Sequence, residues 1–358
     1  MENSVLQDKR VLVTGGTGSL GKALLKRIMT KEFGQPKKVI VFSRDEAKQH
    51  MLRLEFKNLV NATDETIYKN FEETLEFRIG DVRDFHSFSR VLRDADIVIN
   101  TAALKQVPTC EYFPFEAVQT NILGAENIVR AINELNLNIE TVVGVSTDKA
   151  CKPVNVMGMT KSLQERVLIA ANIYCKQTRF ICVRYGNVLA SRGSVIPLFH
   201  YQIKNKGPVT ITTQDMTRFL LSLDSAVDTV MFAIAKAGKG ETIIPNIPSS
   251  RVKDIAEILI GDRKIEIKET GIRPGEKIHE IMVSEEEAWR TYSLSDKYYA
   301  IAPMLPELTD FKAINNSLTK EFSSEDSVMT KQELETLLRK NNLLMDQNAD
   351  FQSEFLLK

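Results

Sequence analysis

Two adjacent ionisable residues, Asp148 and Lys149, directly follow a strand predicted at residues 141–146. A carboxyl group can exchange a proton with a hydroxyl, and an unprotonated amine can remove a proton from a carbon next to a carbonyl. A second lysine, Lys161, lies on the first turns of the next predicted helix, where its charge would lower the pKa of a tyrosine four residues earlier. That position holds Met157, which cannot transfer a proton. The combination indicates a redox enzyme whose net reaction is not a redox reaction.

Lys149 can act as a base only if its amine is partly neutral near pH 7. Moving the pKa of a lysine from ~10.4 to ~7 requires about 4.6 kcal/mol of differential interaction. We expect a desolvated pocket beside Lys161 and a positively charged nicotinamide to supply it. The alternative is that Asp148 and Lys149 form a surface pair in a loop. Thr147, which precedes the pair, is expected to orient a substrate hydroxyl.

A glycine-rich segment follows the first predicted strand and opens the first predicted helix. It carries G-x-G-x-x-G at Gly16, Gly18 and Gly21, and G-x-x-G-x-x-G at Gly15, Gly18 and Gly21. Glycines let the backbone turn tightly and approach a pyrophosphate, and the helix N-terminus supplies free N–H donors. The residues expected to hold the phosphates of a dinucleotide are Gly15, Thr17, Gly18, Ser19, Leu20 and Gly21.

The tip of the second predicted strand distinguishes between two nicotinamide cofactors. An acid at this tip would accept hydrogen bonds from a ribose 2′-hydroxyl and favour NAD, but Ser43 and Arg44 occupy it. Because an arginine can neutralise a 2′-phosphate, NADP is favoured and NAD remains possible. Asp81, after the third strand, is placed either to meet the adenine edge or to cap the helix predicted from Phe85.

Bulk composition excludes several classes of partner. The 358 residues include 47 basic and 47 acidic ones, and this balance gives no sign of a nucleic-acid or anionic-membrane partner. No apolar run approaches the ~20 residues that span a bilayer, and the polar start argues against a cleaved signal. Four cysteines without a C-x-x-C pair indicate reduced thiols and a cytoplasmic protein. The four histidines lack metal-ligand spacing, so no metal is expected.

The order of the predicted elements indicates the fold class. Short strands rich in Val and Ile alternate with amphipathic helices, which is typical of an α/β, Rossmann-like doubly wound parallel sheet. The predicted strands are 11–14, 39–42, 75–79, 97–100, 141–146 and 179–183, and the helices are 20–31, 46–59, 85–93, 115–134, 157–171, 223–237 and 253–260.

Three regions are expected along the chain. Residues 1–186 form the NADP-binding Rossmann-type domain. The pattern becomes irregular afterwards, so 187–325 are assigned mainly to a smaller C-terminal substrate-binding lobe that is interleaved with the first domain. Residues 326–358 form a C-terminal helix and tail, with Thr330 and Glu333 as a capping box opening a helix up to Leu344.

Several motifs together resemble the extended short-chain dehydrogenase/reductase superfamily, and within it the bacterial UDP-N-acetylglucosamine 4,6-dehydratases of surface-polysaccharide and flagellin-sugar pathways. The similarity covers roughly residues 10–285. The matching segments are 14–21, 43–46, 102–108, 146–161, 184–188, 191–197, 216–219 and 273–277. Met157 departs from the tyrosine of many members, although some members carry methionine there.

The resemblance implies a bound nicotinamide cofactor and a UDP-sugar substrate. Hydride leaves C4 of the sugar, Lys149 removes the C5 proton, Asp148 protonates the leaving 6-hydroxyl, and hydride returns to C6. Asp148 is also predicted to receive the C4-hydroxyl proton in place of the missing tyrosine. The resemblance further implies a homo-oligomer, either a dimer or a hexamer.

The same resemblance assigns further contacts. Val82, Ala102 and Ala103 join the cofactor set. Arginines are expected at the diphosphate, Glu276 at the uridine ribose, and Lys105 with Asn187 near the sugar or its phosphate. The full substrate set is Lys105, Asn187, Arg192, Val195, Pro197, Arg218, Arg273 and Glu276.

Two other functions stay open. One is an epimerase that acts at C5 of the keto intermediate or at C4 alone, or a dehydratase that also epimerises C5. The Asp148–Lys149 pair favours elimination over simple C4 epimerisation, which needs no C5 base. The other is a cofactor-binding regulator without catalysis, for which Met157 is the argument, and which the retained Asp148, Lys149 and Lys161 oppose.

Overall fold

The computed structural model describes residues 4–57, 74–189, 194–310, 314–315 and 317–346. Arg192 and the end of the helix predicted over 46–59 lie outside the described residues. The strands are β1 Arg10–Thr14, β2 Lys38–Ser43, β3 Leu75–Ile79, β4 Ile97–Asn100, β5 Thr141–Thr147, β6 Arg179–Tyr185, β7 Asn187–Val188, β8 Val209–Ile211, β9 Thr217–Leu221, β10 Thr242–Pro245, β11 Ser249–Arg251, β12 Ile267–Glu269, β13 Ile281–Val283, β14 Thr291–Ser295, β15 Tyr298–Ile301 and β16 Phe322–Ser323.

Helices connect most of these strands. The helices are α1 Ser19–Met29, α2 Glu46–Lys57, α3 Phe85–Leu92, α4 Val107–Tyr112, α5 Pro114–Ala117, α6 Gly124–Glu134, α7 Val156–Ala171, α8 Val195–Lys204, α9 Leu223–Lys236, α10 Val252–Ile260, α11 Glu285–Ala288 and α12 Lys331–Lys340. A π turn, Val118–Leu123, lies between α5 and α6, and a 3₁₀ turn, Asp148–Ala150, follows β5.

One nine-stranded sheet forms the centre of the molecule, in the order β14-β15-β10-β6-β5-β4-β1-β2-β3. The strands from β10 to β3 pair in parallel, whereas β15 and β14 add an antiparallel edge. The predicted doubly wound α/β fold is confirmed. Because the chain reverses direction across the sheet between β1 and β4, the carboxyl ends of these two strands open the crevice in which such folds bind ligands.

Both faces of the sheet are covered, which explains the unbroken apolar runs in its strands. On β1, Val11 and Val13 belong to one core with Leu24 of α1, while Leu12 belongs to the opposite core with Phe88 of α3. The alternation places successive side chains in different cores.

The two predicted ranges interleave in space. Strands β10, β14 and β15 come from the range assigned to the smaller lobe but extend the central sheet, and α9 packs against α1. The other C-terminal elements surround a separate core that includes Phe199, Ile255 and Leu334. The division at residue 186 therefore stays a prediction about domains.

Two predicted helices differ from the observed ones. The sequence predicts one helix over 115–134, but the π turn interrupts its hydrogen-bonding pattern. The capping box at Thr330 and Glu333 is present, because each residue accepts a hydrogen bond from the backbone N–H of the other. Helix α12 ends at Lys340, before the predicted Leu344.

Candidate active site

The glycine-rich turn lies at the crevice between β1 and β4. Gly15 has a φ of 63°, and a Cβ atom on it would stand 2.9 Å from the Ala102 backbone after β4. A Cβ on Gly21 would stand 2.4 Å from Gly16 Cα. Side chains at these two positions would push the turn away from the neighbouring strand and from helix α1. The sequence thus needs glycine at both positions for close packing.

The N-terminus of α1 has the features of a phosphate site. Gly18 is its N-cap, it provides no side-chain hydrogen bond, and the first turn contains no acidic residue. The N–H donors of Ser19 and Leu20 therefore point from an uncapped helix end beside Thr17. This arrangement fits the diphosphate of a dinucleotide, the group that the sequence predicts.

Hydrogen bonds join the turn to the segment after β4. Thr14 Oγ1 donates to Asn100 Oδ1 at 2.7 Å, and Thr101 Oγ1 donates to the Thr14 carbonyl at 2.6 Å. The Ala102 N–H donates to Thr14 Oγ1 at 3.2 Å, and Ala103 follows in the same half-buried segment. The two predicted cofactor segments are therefore held against each other.

Charged residues meet beyond the ends of β2 and β3. Arg44 Nη1 lies 3.6 Å from Asp81 Oδ2, and Arg83 Nη2 lies 2.7 Å from the same oxygen. Burial raises the pKa of Asp81, but hydrogen bonds from Arg83 and the charges of both arginines outweigh it and lower the pKa overall. A cavity of about 350 Å³ opens here, lined by Asp81, Arg83, Asp84 and Gln119. Sequence reasoning missed Arg83.

Asp81 and Asp84 have separate tasks. Asp84, rather than Asp81, caps α3 by accepting from the backbone N–H groups of His86 and Ser87. The capping alternative for Asp81 is therefore wrong, and its carboxylate instead faces the two arginines. Ser43 receives a hydrogen bond from Gln49 at 3.0 Å, while Val82 packs in the core beside this cavity.

The predicted acid–amine pair forms a compact cluster with a third residue. Lys149 Nζ lies 3.0 Å from Asp148 Oδ1, and Thr147 Oγ1 donates to the same oxygen at 2.8 Å. Glu280 Oε1 approaches the amine to 3.2 Å, and Asn187 Oδ1 accepts from it at 3.5 Å. Sequence reasoning missed Glu280. We call Asp148, Lys149 and Glu280 the catalytic cluster, after the role that we propose for them.

The cluster is buried but incompletely satisfied. Asp148 has no exposed surface, whereas the Lys149 side chain is 22 % exposed. Asp148 Oδ2 and Glu280 Oε2 are buried and have no hydrogen-bond partner among the described residues. Unpartnered buried carboxylate oxygens are costly unless a ligand or water completes them. The pair is therefore not the solvated surface pair that was the alternative.

Burial and charge act differently on the three groups. Burial raises the pKa of Asp148 and outweighs the effect of Lys149. Burial lowers the pKa of Lys149, but the carboxylates of Asp148 and Glu280 outweigh it and raise the pKa overall. The groups of the protein thus raise the pKa of Lys149, and the expected lowering beside a positively charged nicotinamide stays a prediction. Glu280 has a lowered pKa despite its burial, because Lys149 and Arg218 lie close by.

Helix α7 presents Met157 and Lys161 one turn apart. Asn155 caps this helix through the Gly158 N–H. Met157 is buried with Cys110 and Ala117. Lys161 Nζ donates to the Val145 carbonyl at 2.7 Å, and burial lowers its pKa to about 8. Position 157 therefore offers no side chain that can transfer a proton.

The π turn positions a residue that sequence reasoning missed. Asn121 is fully buried in it, accepts from the Leu104 N–H at 2.8 Å and donates to the Leu104 carbonyl at 3.0 Å. It also donates to Thr160 Oγ1 at 2.9 Å. Asn121 thus fixes the loop that carries Ala102, Ala103 and Lys105 against α7. Widened helical turns of this kind are frequent at functional sites.

The predicted substrate residues are only partly brought together. Arg218 is buried, and its guanidinium donates to the carbonyls of Thr217, Lys277 and Ile278. Its Nε lies 3.6 Å from Glu280 Oε1. Most of its donors are thus used within the protein, which differs from the expected contact with a diphosphate.

The remaining substrate candidates surround this region. Asn155 Nδ2 donates to the Gly275 carbonyl at 2.7 Å, which ties the segment of Arg273 and Glu276 to the start of α7. Arg273 is exposed, and Glu276 accepts from Thr212 at 3.4 Å. Lys105 is exposed on its loop, while Val195 and Pro197 lie on the first turn of α8.

Other expectations concern groups away from the cluster. The four cysteines are free and buried. In the part of the chain that the structure describes, no helix is long and apolar enough to cross a bilayer, and no set of three or more potential ligands could hold a metal ion.

Comparisons with known proteins agree with the fold and extend it. A family model described as polysaccharide biosynthesis protein matches residues 11–302. A UDP-glucose 4-epimerase of Rickettsia bellii is 43% identical, over 81% of this chain and 82% of that protein. A Methanocaldococcus jannaschii protein named only as an uncharacterized membrane protein is 40% identical, over 90% and 94% of the two chains. The X-ray structure of Pen from Bacillus thuringiensis matches with a TM-score of 0.83 and 34% identity, covering 95% and 99% of the two chains.

Proposed function

The chain belongs to the polysaccharide biosynthesis protein family, and from this premise we propose that it is a nucleotide-sugar 4,6-dehydratase that acts on UDP-N-acetylglucosamine. The product would be a UDP-4-keto-6-deoxy-N-acetylhexosamine. The observation that carries the proposal is the contact of 3.0 Å between Lys149 Nζ and the buried carboxylate of Asp148. Elimination of water needs a base at C5 and an acid at the 6-hydroxyl, and the pair supplies both groups.

The two groups of this pair would carry separate protons. The competent form has an ionised Asp148 carboxylate and a neutral Lys149 amine, which is reached when the ammonium loses its proton to solvent. The charge of Glu280 opposes this form by stabilising the ammonium. The raised pKa of Asp148 favours uptake of the C4-hydroxyl proton by its carboxylate, because burial penalises charge. Lys149 then removes the C5 proton, Asp148 protonates the departing 6-hydroxyl, and the Lys149 ammonium finally returns a proton to C5.

The remaining cluster residues orient the substrate. Thr147 donates its hydrogen bond to Asp148 and so fixes the carboxyl group that must reach the sugar. With Met157 unable to titrate, we assign the C4-hydroxyl proton to Asp148, directly or through water. Asn187, 3.5 Å from the Lys149 amine, would hold the sugar over the base.

We propose NADP as the resident cofactor, with NAD as the alternative. When bound, the nicotinamide would take a hydride from C4 of the sugar and return it to C6. Gly15, Gly18, Ser19 and the rest of the uncapped turn would hold the diphosphate, and Asp81 would lie near the adenine. Lys161, on the side of α7 that carries Met157, would contact the nicotinamide ribose.

Arg44 tests the cofactor assignment. Its side chain is 57 % exposed and only 3.6 Å from one carboxylate oxygen, so it can pair with a 2′-phosphate. We expect Arg44→Ala to weaken NADP binding by roughly tenfold or more and to leave NAD binding within about twofold. Fluorescence titration of both cofactors provides the measurement. An equal loss of affinity for both cofactors would show that Arg44 does not contact the 2′-phosphate.

The UDP end of the substrate would be held by arginines and one acid. We assign the exposed Arg273 to the diphosphate, together with Arg192, and Glu276 to the ribose. Arg218 is better suited to holding Glu280 and the 277–278 backbone in place, because its donors are directed there. Lys105, Val195 and Pro197 complete the proposed substrate surface.

We further propose that the protein is a homo-oligomer, a dimer or hexamer. Large apolar side chains are exposed along the helices before and within α7, namely Phe115, Leu123, Met159 and Leu163. The elements that carry them contact one another, and contiguous exposed apolar surface is typical of interfaces. Light scattering on the purified chain should give a mass at least twice that of one copy, and a monomeric mass would refute this proposal.

A mass measurement separates the proposed reaction from its main alternative. Incubation with UDP-N-acetylglucosamine should give a product lighter by one water. The alternative is a C4 or C5 epimerase, which is favoured by the identity to the Rickettsia bellii protein named UDP-glucose 4-epimerase. An epimerised product has unchanged mass and a different NMR coupling pattern. This outcome with UDP-N-acetylglucosamine or UDP-glucose would show that the protein is an epimerase and not a dehydratase.

A further inference from the structure

A segment of the C-terminal half, residues 271–277, lies between β12 and β13, and we call it the strap. It carries Arg273 and Glu276, which the proposed function assigns to the UDP end of the substrate. Residues 271–274 are exposed, and a Cβ atom on Gly271 would meet nothing within 4 Å. Because the strap has little packing of its own, its position depends on the hydrogen bonds that tie it to the rest of the molecule.

Hydrogen bonds hold the two ends of the strap. At its start, two backbone N–H groups donate to the last carbonyl of β8 and to the one after it, at 2.9 and 3.0 Å. At its end, the Lys277 amine donates to the Cys151 carbonyl at 2.5 Å, and Arg218 donates to the Lys277 carbonyl at 3.0 Å. Both ends are thus fixed, which leaves the middle of the strap to be positioned.

The middle of the strap is a tight turn. The Glu276 N–H donates to the Arg273 carbonyl at 3.1 Å, so Pro274 and Gly275 form the centre of the turn. Gly275 has a φ of 80°, which this position of a turn requires and which glycine adopts without strain. Since Gly275 lies between Arg273 and Glu276, a contact that fixes its carbonyl fixes the backbone from which both side chains project.

Asn155 supplies that contact. It is buried, and its Nδ2 donates to the Gly275 carbonyl at 2.7 Å. A Cβ atom on Gly275 would stand 3.2 Å from Asn155 Cβ, so a larger residue there would press on this contact. The amide oxygen of the same side chain accepts from the Gly158 N–H at 2.8 Å and caps α7. The two halves of one amide therefore hold two different parts of the proposed site.

We propose that Asn155 is a positioning residue for the nucleotide end of the substrate. Its amide N–H group holds the strap so that Arg273 meets the diphosphate and Glu276 the ribose, while its oxygen separately holds the helix of Met157 and Lys161. This role rests on the proposed function, which places UDP on the strap. A residue that only capped α7 would affect the cofactor side as well, since Lys161 lies on that helix.

Asn155→Asp separates the two tasks of the amide. Aspartate is as good a helix cap as asparagine, but an ionised carboxylate has no N–H group to donate to the Gly275 carbonyl. We expect the dissociation constant for UDP to rise roughly fivefold or more, and that for NADP to stay within about twofold. Isothermal titration calorimetry on the full-length protein measures both. Asn155→Ser, which also caps helices but lacks the amide N–H, should give the same split.

Two further variants serve as references. Asn127→Asp removes the same kind of amide donor outside the strap, where Asn127 donates to the carbonyls of Val82 and Arg83. Its UDP affinity should match that of the parent. Arg273→Gln removes the proposed diphosphate contact and should weaken UDP binding by roughly tenfold. Unfolding temperatures within a few degrees of the parent confirm that each variant is folded.

Three results would overturn this role of Asn155. UDP affinity that falls in Arg273→Gln but not in the two Asn155 variants would refute it and leave the proposed substrate site intact. Equal losses of UDP and NADP affinity would assign Asn155 to the cap of α7 only. UDP affinity that is unchanged in Arg273→Gln, or a parent protein that does not bind UDP, would refute the proposed substrate site and the role of Asn155 with it.

Discussion

Two buried clusters of opposite charges differ in how completely their groups are paired. In the structural cluster, Arg184 makes paired hydrogen bonds with Glu165 and Glu287, and the Arg184 and Glu165 side chains are each 3% exposed. In the catalytic cluster, Lys149 is 22% exposed and meets one oxygen each of Asp148 and Glu280.

The difference lies in what each cluster leaves unsatisfied. The structural cluster uses both carboxylates in paired contacts with a guanidinium, which is the geometry that arginine provides. The catalytic cluster keeps Asp148 Oδ2 and Glu280 Oε2 without partners among the described residues. A lysine amine can lose its proton and an arginine cannot, so only the second cluster contains a cation that can become a base. The difference supports the proposal that proton transfer takes place in the incompletely paired cluster.

The largest effect is expected from Lys149→Ala. Removing the base should lower the turnover of UDP-N-acetylglucosamine by about a thousandfold, because positioned proton transfer contributes on this scale. Cofactor binding should stay close to that of the parent, which shows that the variant is folded. Full turnover in this variant would show that Lys149 is not the base and that the cluster around it is not catalytic.

Breaking the structural cluster should cost stability instead. Arg184→Met leaves Glu165 and Glu287 buried without their cation, so we expect the free energy of unfolding to fall by about 3–5 kcal/mol. Urea denaturation measures it. At a temperature where the variant is folded, turnover should change far less than in Lys149→Ala. A loss below about 1 kcal/mol would contradict the structural role.

The smallest expected effect, and the most informative about mechanism, is in Glu280→Gln. The Glu280 carboxylate raises the pKa of Lys149, so its removal should lower that pKa. The rate of a reaction that needs the neutral amine rises with pH through this pKa. The rising limb of the kcat/KM profile should therefore move to lower pH, by roughly one unit, with turnover changed less than about tenfold.

Glu287→Gln supplies the control for this shift. It removes a buried carboxylate of the structural cluster and should destabilise the protein while leaving the rising limb at the parent pH. A limb that moves in Glu287→Gln as much as in Glu280→Gln would mean that general charge, rather than contact with Lys149, controls the profile.

Sequence reasoning predicted the features that depend on local pattern. The strand ends beside Gly15, Ser43 and Asp148 were placed correctly to within a residue or two, because apolar runs and glycine spacing are local signals. The acid–amine pair was found for the same reason, since its members are adjacent.

The missed features depend on contacts between distant segments. Glu280 lies more than a hundred residues from Lys149 in the sequence, and its one local signal is an acid directly before a strand. Asn121 lies in a run of ordinary helical composition, and its hydrogen bonds to Leu104 and Thr160 accompany a π turn that no local pattern predicts. Burial of the Arg218 guanidinium depends on the distant 277–278 backbone, so it cannot be predicted from neighbouring residues.

The central claim is that the catalytic cluster removes the proton from C5 of the sugar, and isotope exchange tests it most directly. The parent protein and Lys149→Ala would be incubated with UDP-N-acetylglucosamine in heavy water, and the sugar examined by NMR and mass spectrometry. The account predicts a product that has lost one water and carries deuterium at C5, formed by the parent and not by the variant. A dehydrated product that retains protium at C5, or equal deuterium incorporation by the variant, would contradict it.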